Sequence, residues 1–186
     1  MSNEKSTLNV LILELATMVV AIALAFNADV LSTKIDVPHL ISFIMINVIV
    51  IWFWWSYVMD RLEFPPRVDS FPLVDVLILI LISLIPVVLR SFEFPYVAGT
   101  LAVLMIFWSF MIYGIINENK GKINEEKLKN LKEELASRII VALIFVLSII
   151  GYYMQKELGY FIFLATVFVI VFRTLINWFS KFSRNN

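Results

Sequence analysis

The chain has no cysteine and a single histidine, His39, among its 186 residues. The absence of cysteine excludes disulfides, thiolate metal sites and a cysteine nucleophile. One histidine at the head of an apolar run forms no metal-binding cluster. The chain also holds no Ser-His-Asp set and no Gly-rich phosphate loop. No cofactor and no metal is therefore expected, and an enzyme is the least favoured class. Charge is scarce as well. Asp, Glu, Lys and Arg make up 16% of the residues and sum to zero, so no overall field points to nucleic acid.

What the chain has instead is apolar length. Hydrophobic residues are 61% of the total, against about 45–50% in a typical soluble domain, and the excess lies in long runs. A hydrocarbon layer about 30 Å thick takes roughly 20 helical residues to cross. Six segments meet or approach that length: Leu8–Phe26, Leu40–Met59, Phe71–Leu89, Tyr96–Ile116, Ile139–Met154 and Tyr160–Phe179. Charge, proline or asparagine separates each from the next. Lipid offers no partner to backbone N–H and C=O groups, so the segments are expected to be helices. They also lack the alternation of a barrel strand. The expected fold is a single all-α integral membrane domain over 1–186 with six transmembrane helices. Ala23-Leu24-Ala25 mimics a signal-peptide cleavage site, but Glu4 offsets Lys5 ahead of it, so the first segment is read as retained.

Lysine and arginine placement sets the orientation. With the amino terminus inside, the inner side carries Lys5, Arg61, Arg67, Lys120, Lys122, Lys127, Lys129, Lys132, Arg138, Arg173, Lys181 and Arg184, and the outer side only Lys34, Arg90 and Lys156. Both termini are then cytoplasmic. The one long connection, the cytoplasmic linker 117–135, reads as a solvated helix leading into helix five. Asn124 is its N-cap, Lys129 and Glu133 stand at helical pair spacing, and Leu128, Leu131 and Leu135 form a thin apolar stripe. A docking surface or gate lever is the less favoured reading of this linker.

Ionisable groups inside a membrane are costly and tend to face the bundle interior or water. Glu14, Asp75 and Arg173 all fall within roughly 6–9 Å of the cytoplasmic boundary at 1.5 Å per residue. They are expected to form one buried network slightly more readily than to reach the headgroups separately. Asn47, in mid-helix, needs a partner on another helix. Trp52, deepest of the aromatics that end helix two, belongs either to an interfacial belt or to the bundle interior. Pro86 is expected to kink or stop helix three. On helix one, Glu14, Met18, Ala21, Ile22, Ala25 and Asp29 recur at spacings of three and four and share one face, with Leu and Val opposite for lipid contact. That stripe is either a close helix–helix seam or a pore wall, with Ile22 as an apolar constriction and Asp29 as an acidic ring at the outer mouth.

The segment LATMVVAIALAF (15–26) is similar to the first-helix motif F-S-D-x-x-x-A-I-x-x-T of the transmembrane protein 175 family of potassium channels, with Ala21 and Ile22 on the A-I pair. HLISFIMINVIVIWFWW (39–55) looks like that family's second helix. VDVLILILISLIP (74–86) resembles its third, with Asp75 at the position of an asparagine and Pro86 at that of the proline. Leu15-Ala16-Thr17 stands in place of Phe-Ser-Asp, Leu11 in place of an upstream arginine, and Ala25 in place of the threonine. The resemblance implies a homotetramer in a prokaryotic plasma membrane, with helix one lining a central pore for monovalent cations, potassium preferred, and Ile22 at the constriction. It also implies that Thr17 faces Asp75 with the hydrogen-bonding roles exchanged. The rival expectations are a non-conducting sensor or assembly protein of the same fold, and a small transporter using Glu14, Asp75 and Arg173.

Overall fold

The computed structural model describes the backbone of residues 2–28, 37–65, 73–91 and 93–184, and within these the side chains of 10–28, 40, 43–65, 73–90, 93–170 and 172. Among the described residues six helices follow one another: α1 (Ser2–Ala28), α2 (Val37–Glu63), α3 (Leu73–Ser91), α4 (Phe94–Glu118), α5 (Glu125–Met154) and α6 (Lys156–Arg184). Among the described residues there is no strand. Five stretches of the described residues are long and apolar enough to cross a membrane: Val10–Ala28, Phe43–Glu63, Leu73–Arg90, Phe94–Glu118 and Glu125–Met154. The sixth expected span lies on α6, whose side chains are described only in part. The chain is an all-α, multi-pass membrane protein by these spans and by its outer surface. Exposed apolar side chains occur on every helix, among them Met18, Val48, Ile80, Phe110, Leu143 and Phe168. So broad an apolar exterior suits lipid and not water.

Most of the helices outrun the apolar runs that mark them, because the backbone ladder continues until a cap or turn ends it. The difference is greatest at α5. The linker helix and the fifth span are one continuous helix that begins at Glu125, not at Ile139. The Asn124 side chain accepts a hydrogen bond from the Lys127 backbone N–H at 2.9 Å, and Glu125 and Glu126 occupy the first turn, where the helix dipole favours them. Gly121, at φ +79°, supplies the left-handed residue of the turn before it. Leu131 is buried and Leu128 and Leu135 lie against the core, so the thin stripe faces the bundle. Pro86 does not stop α3, which continues to Ser91. Pro86 is fully buried, and packing outweighs the one ladder bond it removes.

Helices α1, α2 and α3 pack mutually, α3 also packs on α4, α4 on α5, and α5 on α6. The molecule is thus two groups of three helices joined through α3 and α4. Trp108, Tyr57, Leu79, Ile82 and Leu104 are among its fully buried side chains. A single residue, Gln155, connects α5 to α6. A Cβ on Gly159 would lie 2.6 Å from the Tyr152 backbone, so only glycine permits this approach. Phe94 closes the same end, its ring centroid 4.6 Å from that of Tyr160 and 5.3 Å from that of Phe163.

Helix α1 buries Ile12, Ala16, Val20, Ala23 and Asn27 against α2 and α3. Ala16 and Ala23 are fully buried, and their small side chains bring the backbones together. The positions opposite the stripe, expected to meet lipid, turn inward instead: Val20 is buried, and the exposed Leu11 and Leu15 lie on or beside the stripe's own face. Hydropathy alone does not separate a side chain facing lipid from one facing another apolar helix.

Candidate functional site

Tyr57 and Arg61 are four residues apart on α2 and so present one face, and Asp75 stands in the first turn of α3. The three meet at a buried point. Arg61 forks onto the Asp75 carboxylate, with Nε donating to Oδ1 and Nη2 to Oδ2, each at 2.6 Å, and the Tyr57 hydroxyl donates to Oδ1 at 2.8 Å. Arg61 Nη1 reaches the Phe64 carbonyl at 3.4 Å. Asp75 is 2% exposed and Arg61 7%. In such surroundings either charge alone would be costly to bury, and the two-pronged geometry satisfies both.

A second polar group lies beside the first. Asp60, on the last turns of α2, accepts a hydrogen bond from Trp108 Nε1 on α4 at 2.9 Å. The Arg138 guanidinium on α5 sits 4.5 Å from the centroid of the same indole and donates to Glu134 at 2.9 Å. Trp108 therefore carries a carboxylate on its edge and a cation on its face, the arrangement its ring quadrupole favours. Further out, Lys127 of α5 pairs with Glu63 of α2 at 3.0 Å, both half exposed.

At the opposite end of the bundle, Asn27 is fully buried near the carboxyl end of α1. Its amide donates to the Phe43 carbonyl at 3.0 Å and to the Asn47 side-chain oxygen. Arg90 of α3 donates to the Asn27 side-chain oxygen, to the Asn27 carbonyl at 2.6 Å and to the Phe26 carbonyl at 3.4 Å. A cation on the last carbonyls of a helix satisfies groups the ladder leaves open and matches the negative end of the dipole. These contacts fix α1 to α2 and α3.

The residues singled out from the sequence divide accordingly. Asp75 and Asn47 are each held in a network, but in different ones. Glu14 and Thr17 are exposed on α1, and the Thr17 hydroxyl donates to the Leu13 carbonyl at 2.9 Å within its own helix, not to Asp75. Glu14 and Asp75 are not brought together within the chain. Met18, Ile22 and Ala25 share the uncovered side of α1 with Glu14. Trp52 is half-buried, its ring 5.6 Å from that of Phe53. Asp29 and the Arg173 side chain lie outside the described residues. Among the described residues no group of histidines and acids could hold a metal ion. No family model, curated protein or solved structure matches the chain.

Sequence reasoning missed Tyr57, Arg61, Asp60, Trp108, Arg138, Asn27 and Arg90. Arg61, Arg90 and Arg138 entered it only as loop charges that set orientation. The signal for the first network was present in the four-residue spacing of Tyr57 and Arg61, one short connection before Asp75. The signal for Asn27 was its register with Ala16, Val20 and Ala23.

Proposed function

We propose that the chain is a cation channel, assembled as a tetramer around the uncovered side of α1, with potassium as the preferred ion. The observation that carries this reading is the position of Glu14. Beyond the terminal turns of their spans, the exposed side chains of α2, α3 and α4 are aliphatic, aromatic or methionine, and so are those of 139–154 on α5. Among the described residues of these spans, only α1 exposes an acid there, with Thr17, Ala21 and Ala25 nearby. A carboxylate facing hydrocarbon costs several kcal/mol, at least about 2.5 on insertion scales. Facing water at an axis shared by several copies, it avoids that cost and attracts cations. The resemblance to the transmembrane protein 175 family adds the tetramer, the six spans with both termini in the cytoplasm of a prokaryotic cell, and the potassium preference. Ile22 then forms the dewetting constriction, and Asp29 concentrates cations at the outer mouth.

Purified protein in planar bilayers is expected to pass potassium current, and Ile22→Asn to raise it. Because the chain has no cysteine of its own, Met18→Cys is expected to form disulfide-linked pairs under mild oxidation if α1 lines a common axis. Folded tetramers that stay silent in both the original and the Ile22→Asn form would leave the non-conducting sensor or assembly protein as the reading. A monomer without Met18→Cys cross-links would remove the pore altogether. The transporter reading is less well supported. The Asp75 carboxylate already accepts two hydrogen bonds from Arg61 and one from Tyr57, which leaves it poorly placed to bind and release an ion.

A further inference from the structure

The uncovered side of α1 has two unlike flanks. At about 100° per residue, the exposed Leu15, Ile22 and Phe26 fall together on one of them. Thr17, Ala21 and Ala28, also exposed, fall together on the other, roughly 140° round the helix. Glu14, Met18 and Ala25 stand between the two. Val10 joins the small flank only at the start of the span. Among the described residues of α2, α3 and α4, and of 139–154 on α5, no alanine is exposed, whereas α1 exposes Ala21, Ala25 and Ala28. Small side chains give lipid nothing to pack on, but they let a second helix come close. The exposed Glu14 on the same side is a separate sign that this side does not meet hydrocarbon.

Copies inserted in one bilayer share an orientation, so their α1 helices run parallel. A two-fold pair sets like against like, large flank on large flank and Glu14 against Glu14, which leaves gaps and repulsion. A ring sets the large flank of each copy against the small flank of the next. Size complementarity and charge both select the ring. We propose that adjacent copies meet head to tail through these flanks, with Leu15 and Phe26 of one protomer packed over Thr17, Ala21 and Ala28 of the partner subunit. Glu14, Met18 and Ala25 then turn to the axis, with Ile22 at the inner edge of the large flank. No carboxylate is sealed into the contact, where it would be costly without a partner. This contact rests on the reading of α1 as the helix at a shared axis, and adds which side chains join the copies.

The test uses the full chain, which has no native cysteine, in liposomes under mild oxidation. Phe26→Cys is combined with Ala21→Cys in one variant and with Ala28→Cys in another, to cover either tilt of the helices. All three positions are exposed in the single chain. At least one double variant is expected to give a ladder of covalent products that ends at the tetramer, while each single variant stays monomeric on the gel. Dimers from Phe26→Cys alone or from Ala21→Cys alone would show like flanks meeting and overturn the contact. No ladder from either double variant, while Met18→Cys cross-links, would overturn the contact and leave the shared axis standing. No cross-link at any of these positions would remove both. A ladder from protein that passes no current would keep the contact and remove the conduction. Ala21→Phe, which crowds the small flank, is expected to lower the tetramer fraction in mild detergent severalfold, and an unchanged fraction would count against the contact.

Discussion

Asp75 on α3 and Glu14 on α1 are both acids within apolar spans, and their surroundings differ in kind. Asp75 is 2% exposed and is held by a guanidinium and a phenol from α2. Glu14 is exposed, and nothing among the described residues covers it. The first acid is resolved inside the chain, so its role is to join helices. The second is left open by the chain, so its partner, whether water, headgroup or another copy, lies outside it. An intramembrane acid is therefore not in itself a functional signal. The informative acid is the one that the fold leaves without a partner.

This contrast can be broken or sharpened by substitution. The largest effect is expected for Asp75→Leu, which strands a buried arginine: a loss of about 3–5 kcal/mol, read from reversible denaturation in mixed micelles. Combining it with Arg61→Met should recover most of that loss, since a buried ion pair is often replaceable by apolar residues of similar size. If the double variant is no better than the single, the pair contributes more than mutual neutralisation. Next is Asn27→Ala, which tests whether the inner side of α1 behaves like the Asp75 site. It removes the side-chain amide that bonds both Asn47 and Arg90 and should cost about 1–3 kcal/mol. The smallest is Glu14→Gln, expected to change the stability of the single chain by no more than about 0.5 kcal/mol while lowering cation current at low ionic strength. A Glu14→Gln variant that unfolds as readily as Asp75→Leu would erase the distinction between the two acids.

Much of the framework is legible from residue order. Apolar length marks the spans, Asn124 with Glu125 and Glu126 marks the start of α5, and Leu128, Leu131 and Leu135 mark the side of its outer half that turns inward. The same reasoning works less well inside the membrane because its usual lever, a polar side against an apolar side, is missing there. Val20 and Leu11 are equally apolar, yet one is buried and the other exposed. The networks escaped for a related reason. Arg61 and Arg90 sit at span ends, where a cation ordinarily serves as a topological marker, and nothing local says that either folds back onto another helix.

Residue order alone determined that this chain must be helical and lie in a bilayer, because runs of that length and apolarity leave the backbone no other way to satisfy its hydrogen bonds. Only the tertiary structure decided which side of each helix faces inward, and with it that Asp75 is paired with Arg61 and Glu14 is not covered. The reason is physical. Between apolar helices in lipid, orientation is set by close packing of small residues such as Ala16 and Ala23 and by a few polar contacts between distant segments, and neither is written in the hydropathy of any one helix.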